Sequence, residues 1–233
     1  MRVEIWSDVV CPWCYIGKRR FEAALARFAH RDEVDLVWRS FQLDPSAEPS
    51  PDRPGDYVEH LARKYGIPVD RAQLMVSRVT AAAADEGLDF RFDIARRGNT
   101  FDAHRLLHLG LDRGVQNELK ERLDHGTFTA GLPVSDRDAL ATVAVDVGLD
   151  RTEIDGVLAS DRYADAVRAD AAQARAYGIS AVPFFVIEGK YGVAGAQPPD
   201  VLLEALNRAW PERSPLALVT EAAEACDDDS CVV

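Results

Sequence analysis

Two hydrophobic periods alternate along this chain. Arg2-Val3-Glu4-Ile5-Trp6 places strand-forming side chains at every second position, so residues 2–6 predict a half-buried strand. Farther on the period lengthens. Phe21, Ala24, Leu25 and Phe28 recur at three and four residues and predict an amphipathic helix with Lys18, Arg19, Glu22 and Arg27 on its wet side. Pro12 suits the first turn of that helix, where its missing N–H costs nothing. Residues 34–41 return to strand composition, giving strand, helix and strand in about forty residues, the length of a βαβ unit.

Residues 44–55 hold four prolines and a glycine and predict an exposed connection. From there to Tyr177 the period is helical. Ala72, Met75, Val76, Val79, Ala82 and Ala83 form one apolar stripe, and Leu140, Val143, Ala144 and Val147 another. Ser135 with Asp138 three on predicts a capping box before the second. The last helix of this stretch, carrying Tyr163, Val167 and Ala174, ends before Gly178. Strands return at 183–188 and 191–194, joined through Glu188-Gly-Lys-Tyr191, with Phe184, Phe185 and Ile187 as core. A helix from Pro199 to about Trp210 follows, with Val201, Leu202, Ala205 and Leu206 at helical spacing. The predicted class is α/β: one discontinuous domain, 1–50 plus 178–211, with a large all-helical insertion at 51–177. Residues 212–233 form a separate acidic tail.

Charge narrows the partners. Among 233 residues, 39 are acidic and 27 basic, a formal charge of −12, which disfavours nucleic acid and anionic membrane surfaces. The first residues do not read as a secretory signal and no run approaches ~18 apolar residues, so the expected location is cytoplasmic. Only four cysteines are present, in two tight pairs, Cys11/Cys14 and Cys226/Cys231. In a reducing compartment such pairs point to redox catalysis or metal binding.

Cys11-Pro12-Trp13-Cys14 follows a strand and opens a helix. A helix N-terminus favours a thiolate through its unpaired N–H groups, and Cys14 lies one turn on, placed to attack a mixed disulfide on Cys11. Proline cannot sit inside a central strand, so Pro183 should begin its strand. If the Val182–Pro183 bond is cis, the backbone of Val182 lies beside the two sulfurs. Sequence alone does not decide that.

Ser-Asp-Val-Val-Cys-Pro-Trp-Cys-Tyr-Ile-Gly-Lys near the start, the helical insertion, Gly-Ile-Ser-Ala-Val-Pro-Phe-Phe and Gly-Ala-Gln-Pro-Pro together resemble the DsbA family, in its FrnE-like cytoplasmic branch, over about residues 1–211. The resemblance implies a thioredoxin-like fold, thiol–disulfide oxidoreductase or isomerase activity, Cys11 as nucleophile, Cys14 as resolver and Pro183 as the cis-proline. Trp13 stands where periplasmic members carry histidine. An indole offers one N–H and an apolar ring, so the expected couple is less oxidising, which redox titration against glutathione checks.

Disulfide- or thiol-containing proteins are the expected partners, with glutathione a candidate substrate or reductant and no metal or organic cofactor required. Pro12, Trp13 and Val182 are candidate substrate contacts. Asn99-Thr100-Phe101, opening a helix that carries Arg105, is similar to an active-site segment of glutathione-dependent isomerases and transferases of the same superfamily, although helix capping explains Asn99 and Thr100 equally simply. Cys226 and Cys231, around three aspartates, suit either an auxiliary redox pair or an inert tail. A zinc site built from all four cysteines is the rival from another class. His104 and His108 have metal-ligand spacing but read as packing or surface residues. Asp8 reads as a cap for the turn before Cys11, with acceptance of the Cys14 proton as the alternative.

Overall fold

The computed structural model describes residues 1–48 and 56–211. In chain order the strands are β1 (Arg2–Ser7), β2 (Asp35–Ser40), β3 (Phe184–Ile187) and β4 (Tyr191–Ala194). The helices are α1 (Pro12–Arg27), α2 (Tyr57–Tyr65), α3 (Val69–Asp85), α4 (Phe101–Asp112), α5 (Gln116–Thr129), α6 (Arg137–Asp146), α7 (Arg151–Leu158), α8 (Ala164–Ala176) and α9 (Pro199–Ala209). The sheet order is β2-β1-β3-β4, with β1 parallel to β2 and antiparallel to β3. This is the α/β, thioredoxin-like frame expected from the βαβ start and the late hairpin.

Alternation sorts the sheet's two faces. Val3 and Ile5 pair with Ile187 and Phe185 and pack with Phe21, Ala24, Leu202 and Leu206, so α1 and α9 cover one face. Trp6 and Val186 point the other way, against Ala174 and Ile179. There the indole N–H of Trp6 donates to the Asp170 carbonyl of α8 at 3.0 Å.

The remaining helices build two further cores that reach the CxxC turn from either end. One gathers α4 to α7 around Leu106, Leu119, Leu123 and Leu140 and includes Val9. The other joins Tyr15 and Ile16 of α1 to Val76 and Val79 of α3, with Tyr15, Phe90 and Phe128 stacked. The cysteine turn is therefore held between apolar anchors.

Several local readings need correction. Lys18, expected in water, is 2% exposed because α5 lays Glu121 over it, 2.7 Å away. Asp136, not Ser135, caps α6, accepting from the Ala139 N–H at 2.9 Å. Tyr163 stands outside α8 with φ of 65°. Met75 and Val201 are exposed, and Phe184 is only half-buried. The hairpin register leaves Glu188, Gly189 and Lys190 as its loop, the first two at positive φ.

Candidate active site

Cys11 is the N-cap of α1 and Pro12 occupies the first turn, so the helix begins with its free N–H groups at the cysteine turn. The Cys11 N–H donates to the Asp8 carbonyl at 3.2 Å, and the Cys14 N–H to the Cys11 carbonyl at 3.0 Å. Both thiols are free. Trp13 projects outward at 42% exposure, while Cys14 is fully buried. Burial, the hydrogen bond with Cys11 and the charge of Cys11 push the Cys14 thiol well above its usual range, against the opposing pull of Lys120 and the Asp8 N–H.

The second half of the site arrives from the far end of the chain. The Val182–Pro183 bond is cis, and the Cys11 thiol donates to the Val182 carbonyl at 3.6 Å. Pro183 also touches α1, since a Cβ at Gly17 would lie 2.8 Å from its Cγ. Cys11, Cys14, Pro12, Trp13, Val182 and Pro183 thus form one cluster.

Other candidates sort differently. Asn99 organises backbone: its Oδ1 accepts from the Phe101 N–H at 2.9 Å and its amide donates to the Ala47 carbonyl at 3.0 Å. Thr100 is buried and lines a cavity beside Trp13, but its side chain does not cap α4. Arg105 turns away from the cysteines and donates to the carbonyls of Val157, Ser160 and Arg162, closing the end of α7. Asp8 does not cap α1 through its side chain. Its carboxylate accepts from the Leu43 N–H at 2.8 Å and meets His104 at 3.3 Å. His108 pairs instead with Asp170 at 3.0 Å, so both histidines are buried packing residues with separate acids. Among the described residues, no three His, Cys, Asp or Glu side chains converge as metal ligands. Cys226 and Cys231, and with them the auxiliary pair and the four-cysteine zinc site, lie outside the described residues.

Sequence reading missed a buried ion pair in α5. Lys120 and Asp124 are both fully buried and joined through two hydrogen bonds, and Lys120 lies 5.1 Å from the Trp38 ring centroid. Their i, i+4 spacing was visible, but it is the spacing of any exposed helix pair.

A dithiol at a helix start, with both cysteines buried, Cys14 completely and Cys11 at 5% exposure against a cis-proline loop in a thioredoxin frame, defines the class of thiol–disulfide oxidoreductases. Residues 2–207 match the family model described as the DSBA-like thioredoxin domain, and the chain belongs to that family. It is 47% identical to a Streptomyces coelicolor protein described as a probable DsbA oxidoreductase, SCO1869, with a TM-score of 0.86 over 100% of this chain and 99% of that one. The uncharacterized protein YwbO of Bacillus subtilis is 28% identical over 211 residues, 89% of this chain and 96% of its own. The cytosolic disulfide reductase DsbM of Pseudomonas aeruginosa, solved with GSH, shares the fold at 14% identity and a TM-score of 0.63, over 89% of this chain and 98% of its own.

Proposed function

We propose that this protein exchanges disulfides with protein or small-thiol substrates through Cys11 and Cys14. The observation that supports this reading is the contact of the Cys11 thiol with the Val182 carbonyl at 3.6 Å, which sets this sulfur beside the cis-proline turn ahead of β3. Cys11, as thiolate, attacks one sulfur of a substrate disulfide, forming a mixed disulfide and releasing the other substrate sulfur. Cys14 then loses its proton and attacks Cys11 Sγ; the substrate leaves as a second thiol and the protein as its Cys11–Cys14 disulfide. The reverse sequence oxidises a substrate dithiol. Burial holds Cys14 in its thiol form until then, which leaves the mixed disulfide time to be passed on.

Pro12, Trp13 and the Val182 backbone are the proposed substrate contacts, with Pro183 shaping the edge they share. We also propose that Cys226 and Cys231 act as an auxiliary redox pair, and that the chain divides into a discontinuous domain at 1–50 plus 178–211, a helical insertion at 51–177 and a tail at 212–233. Glutathione is a reasonable partner because the distant fold relative DsbM was solved with it. No metal or organic cofactor enters the exchange as written.

Cys14→Ser provides the test. This variant should accumulate mixed disulfides on Cys11 in cell extract and lose multiple-turnover reduction of insulin, while Cys11→Ser traps nothing. Adding Cys226→Ser and Cys231→Ser should leave trapping intact and lower the turnover of the otherwise intact enzyme. Failure of Cys14→Ser to trap any thiol, small or protein, would overturn the reading.

A further inference from the structure

Behind the cysteine turn lies the buried ion pair of α5, which the exchange as written does not use. Lys120 and Asp124 are both fully buried and joined by two hydrogen bonds, with the ammonium 5.1 Å from the Trp38 ring centroid. A buried ion pair gains little over apolar residues of similar volume, so stability alone does not account for it. Its place in the fold does. Gln116, one turn before Lys120, ties the start of α5 to β2 through both backbone groups of Trp38, each at 2.9 Å. On the other side, Tyr15 of α1 lies along α5 from the Phe128 ring, 6.5 Å between centroids, to the Glu121 carboxylate at 2.7 Å, a span that brackets Asp124. Lys18, one turn beyond Cys14, reaches the same Glu121 at 2.7 Å. Cys14 therefore sits on the face of α1 that α5 covers.

The charges acting on Cys14 change as the reaction proceeds. Burial, the hydrogen bond with Cys11 and the charge of Cys11 hold the Cys14 thiol protonated, while Lys120 pulls the other way. Once Cys11 is bonded to a substrate sulfur it carries no charge, and that part of the opposition ends. The pull of Lys120 remains. Facing the pair are Cys14, Tyr15 and Lys18 from α1 and Glu121 from α5 itself, with the Trp38 ring of β2 on the ammonium. Lys18 is bound to Glu22 and Glu121, and Glu121 is shared with Tyr15 and Arg19, so neither answers to Cys14.

We infer that Lys120, anchored by Asp124, is a positioning residue for the second half of the exchange, stabilising the Cys14 thiolate once Cys11 is bonded to substrate. This role rests on the redox reading of Cys11 and Cys14. Cys14 Sγ bonds to Cys11 Sγ, the bond from Cys11 to the substrate sulfur breaks with its electron pair on the leaving thiolate, and the Cys14 proton ends on that sulfur. Over the two steps the protein dithiol loses two electrons and the substrate disulfide gains them. Lys120 keeps its own protons and lowers the cost of negative charge on Cys14 in between. It thereby sets how long the mixed disulfide lasts.

Timing the two releases from one small disulfide provides the test. Reduced protein, carrying Cys226→Ser and Cys231→Ser throughout so that only Cys11 and Cys14 react, is mixed with one equivalent of 4,4′-dithiodipyridine. Attack by Cys11 frees the first thiopyridone and attack by Cys14 the second. Lys120→Met should leave the first release within about twofold, slow the second at least about tenfold at pH 7 and move its pH midpoint up by about one unit. Lys120→Met with Asp124→Leu should do the same, and it serves if the single variant fails to fold. Lys120→Arg keeps the charge and should hold the second release within about threefold of the unaltered protein. A second release and midpoint unmoved by the methionine variants overturn the inference. So does equal slowing by Lys120→Arg and Lys120→Met, which would make packing the cause, or equal slowing of both releases. Absence of any second release while Lys120 is intact removes the underlying redox reading and is distinct from these outcomes.

Discussion

Gly17 is the residue on which two local rules disagree. In a helix interior, alanine outranks glycine by about 1 kcal/mol, so propensity alone makes Gly17→Ala stabilising. Packing opposes it, because the added carbon would lie 2.8 Å from Pro183 Cγ and 3.5 Å from Ala196 Cβ, and a proline ring has no flexible end to yield. We expect the clash to win: a net loss of about 1–2 kcal/mol in urea unfolding and slower exchange at Cys11, since the Val182–Pro183 edge must retreat. A more stable variant with unchanged exchange would show that the loop yields freely. The cysteine turn was legible in the sequence because its rules are local: CxxC spacing, proline in the first turn, helix after strand. The importance of Gly17 was not, since the atom that forbids a side chain lies at the other end of the chain. Asn99 and Thr100 were legible only as a pair, and nothing in their order says which one binds backbone and which one faces the cavity.

Between elements, the decisive contact is Glu121 of α5 against α1. Its carboxylate accepts from the Tyr15 hydroxyl and the Lys18 ammonium, each at 2.7 Å, and pairs with Arg19, whose guanidinium lies 5.0 Å from the Tyr15 ring centroid. Burial pushes this carboxyl up, but the bonds from Lys18, Tyr15 and Arg19 outweigh it and hold it down at about 2. A depressed carboxyl stabilises the fold above its ordinary value of 4.5, and that contribution is lost as pH falls from there towards about 2. Glu121→Gln should cost about 1–3 kcal/mol at pH 7 and flatten this acid limb. Equal losses at pH 7 and pH 3 would show that the charge is irrelevant. The helical period placed α1 correctly yet assigned Lys18 to water. That assignment assumes a free outer face, and the sequence holds no sign that α5, a hundred residues on, covers it.

Over the whole molecule, two opposed titrations set where the fold is strongest. Burial pushes Asp124 up to about 6 despite the attraction of Lys120 and Lys18, so the folded chain holds this proton where an unfolded one, with an ordinary value of 3.8, has released it. The stabilisation from this group is full below about 4 and lost as pH rises through about 6. Glu121 and Asp170, both held low, act with the opposite sign and withdraw support only as pH falls below the ordinary carboxylate range. Self-repulsion among the surplus acids also weakens towards the isoelectric point near 4.9. Stability should therefore peak near pH 5, with a urea midpoint above that at pH 7.5 by an amount worth about 1–3 kcal/mol. Replacing the pair together, Lys120→Met with Asp124→Leu, should shrink that rise and leave stability at pH 7.5 equal or higher, because two buried charges are exchanged for apolar contact. Asp124→Leu alone should lose about 3–5 kcal/mol, having left Lys120 buried without its carboxylate. A midpoint that falls steadily from pH 7.5 to pH 5 in the unaltered protein would mean that Asp124 stays ionised beside Lys120, and that their mutual attraction exceeds the cost of burying both charges.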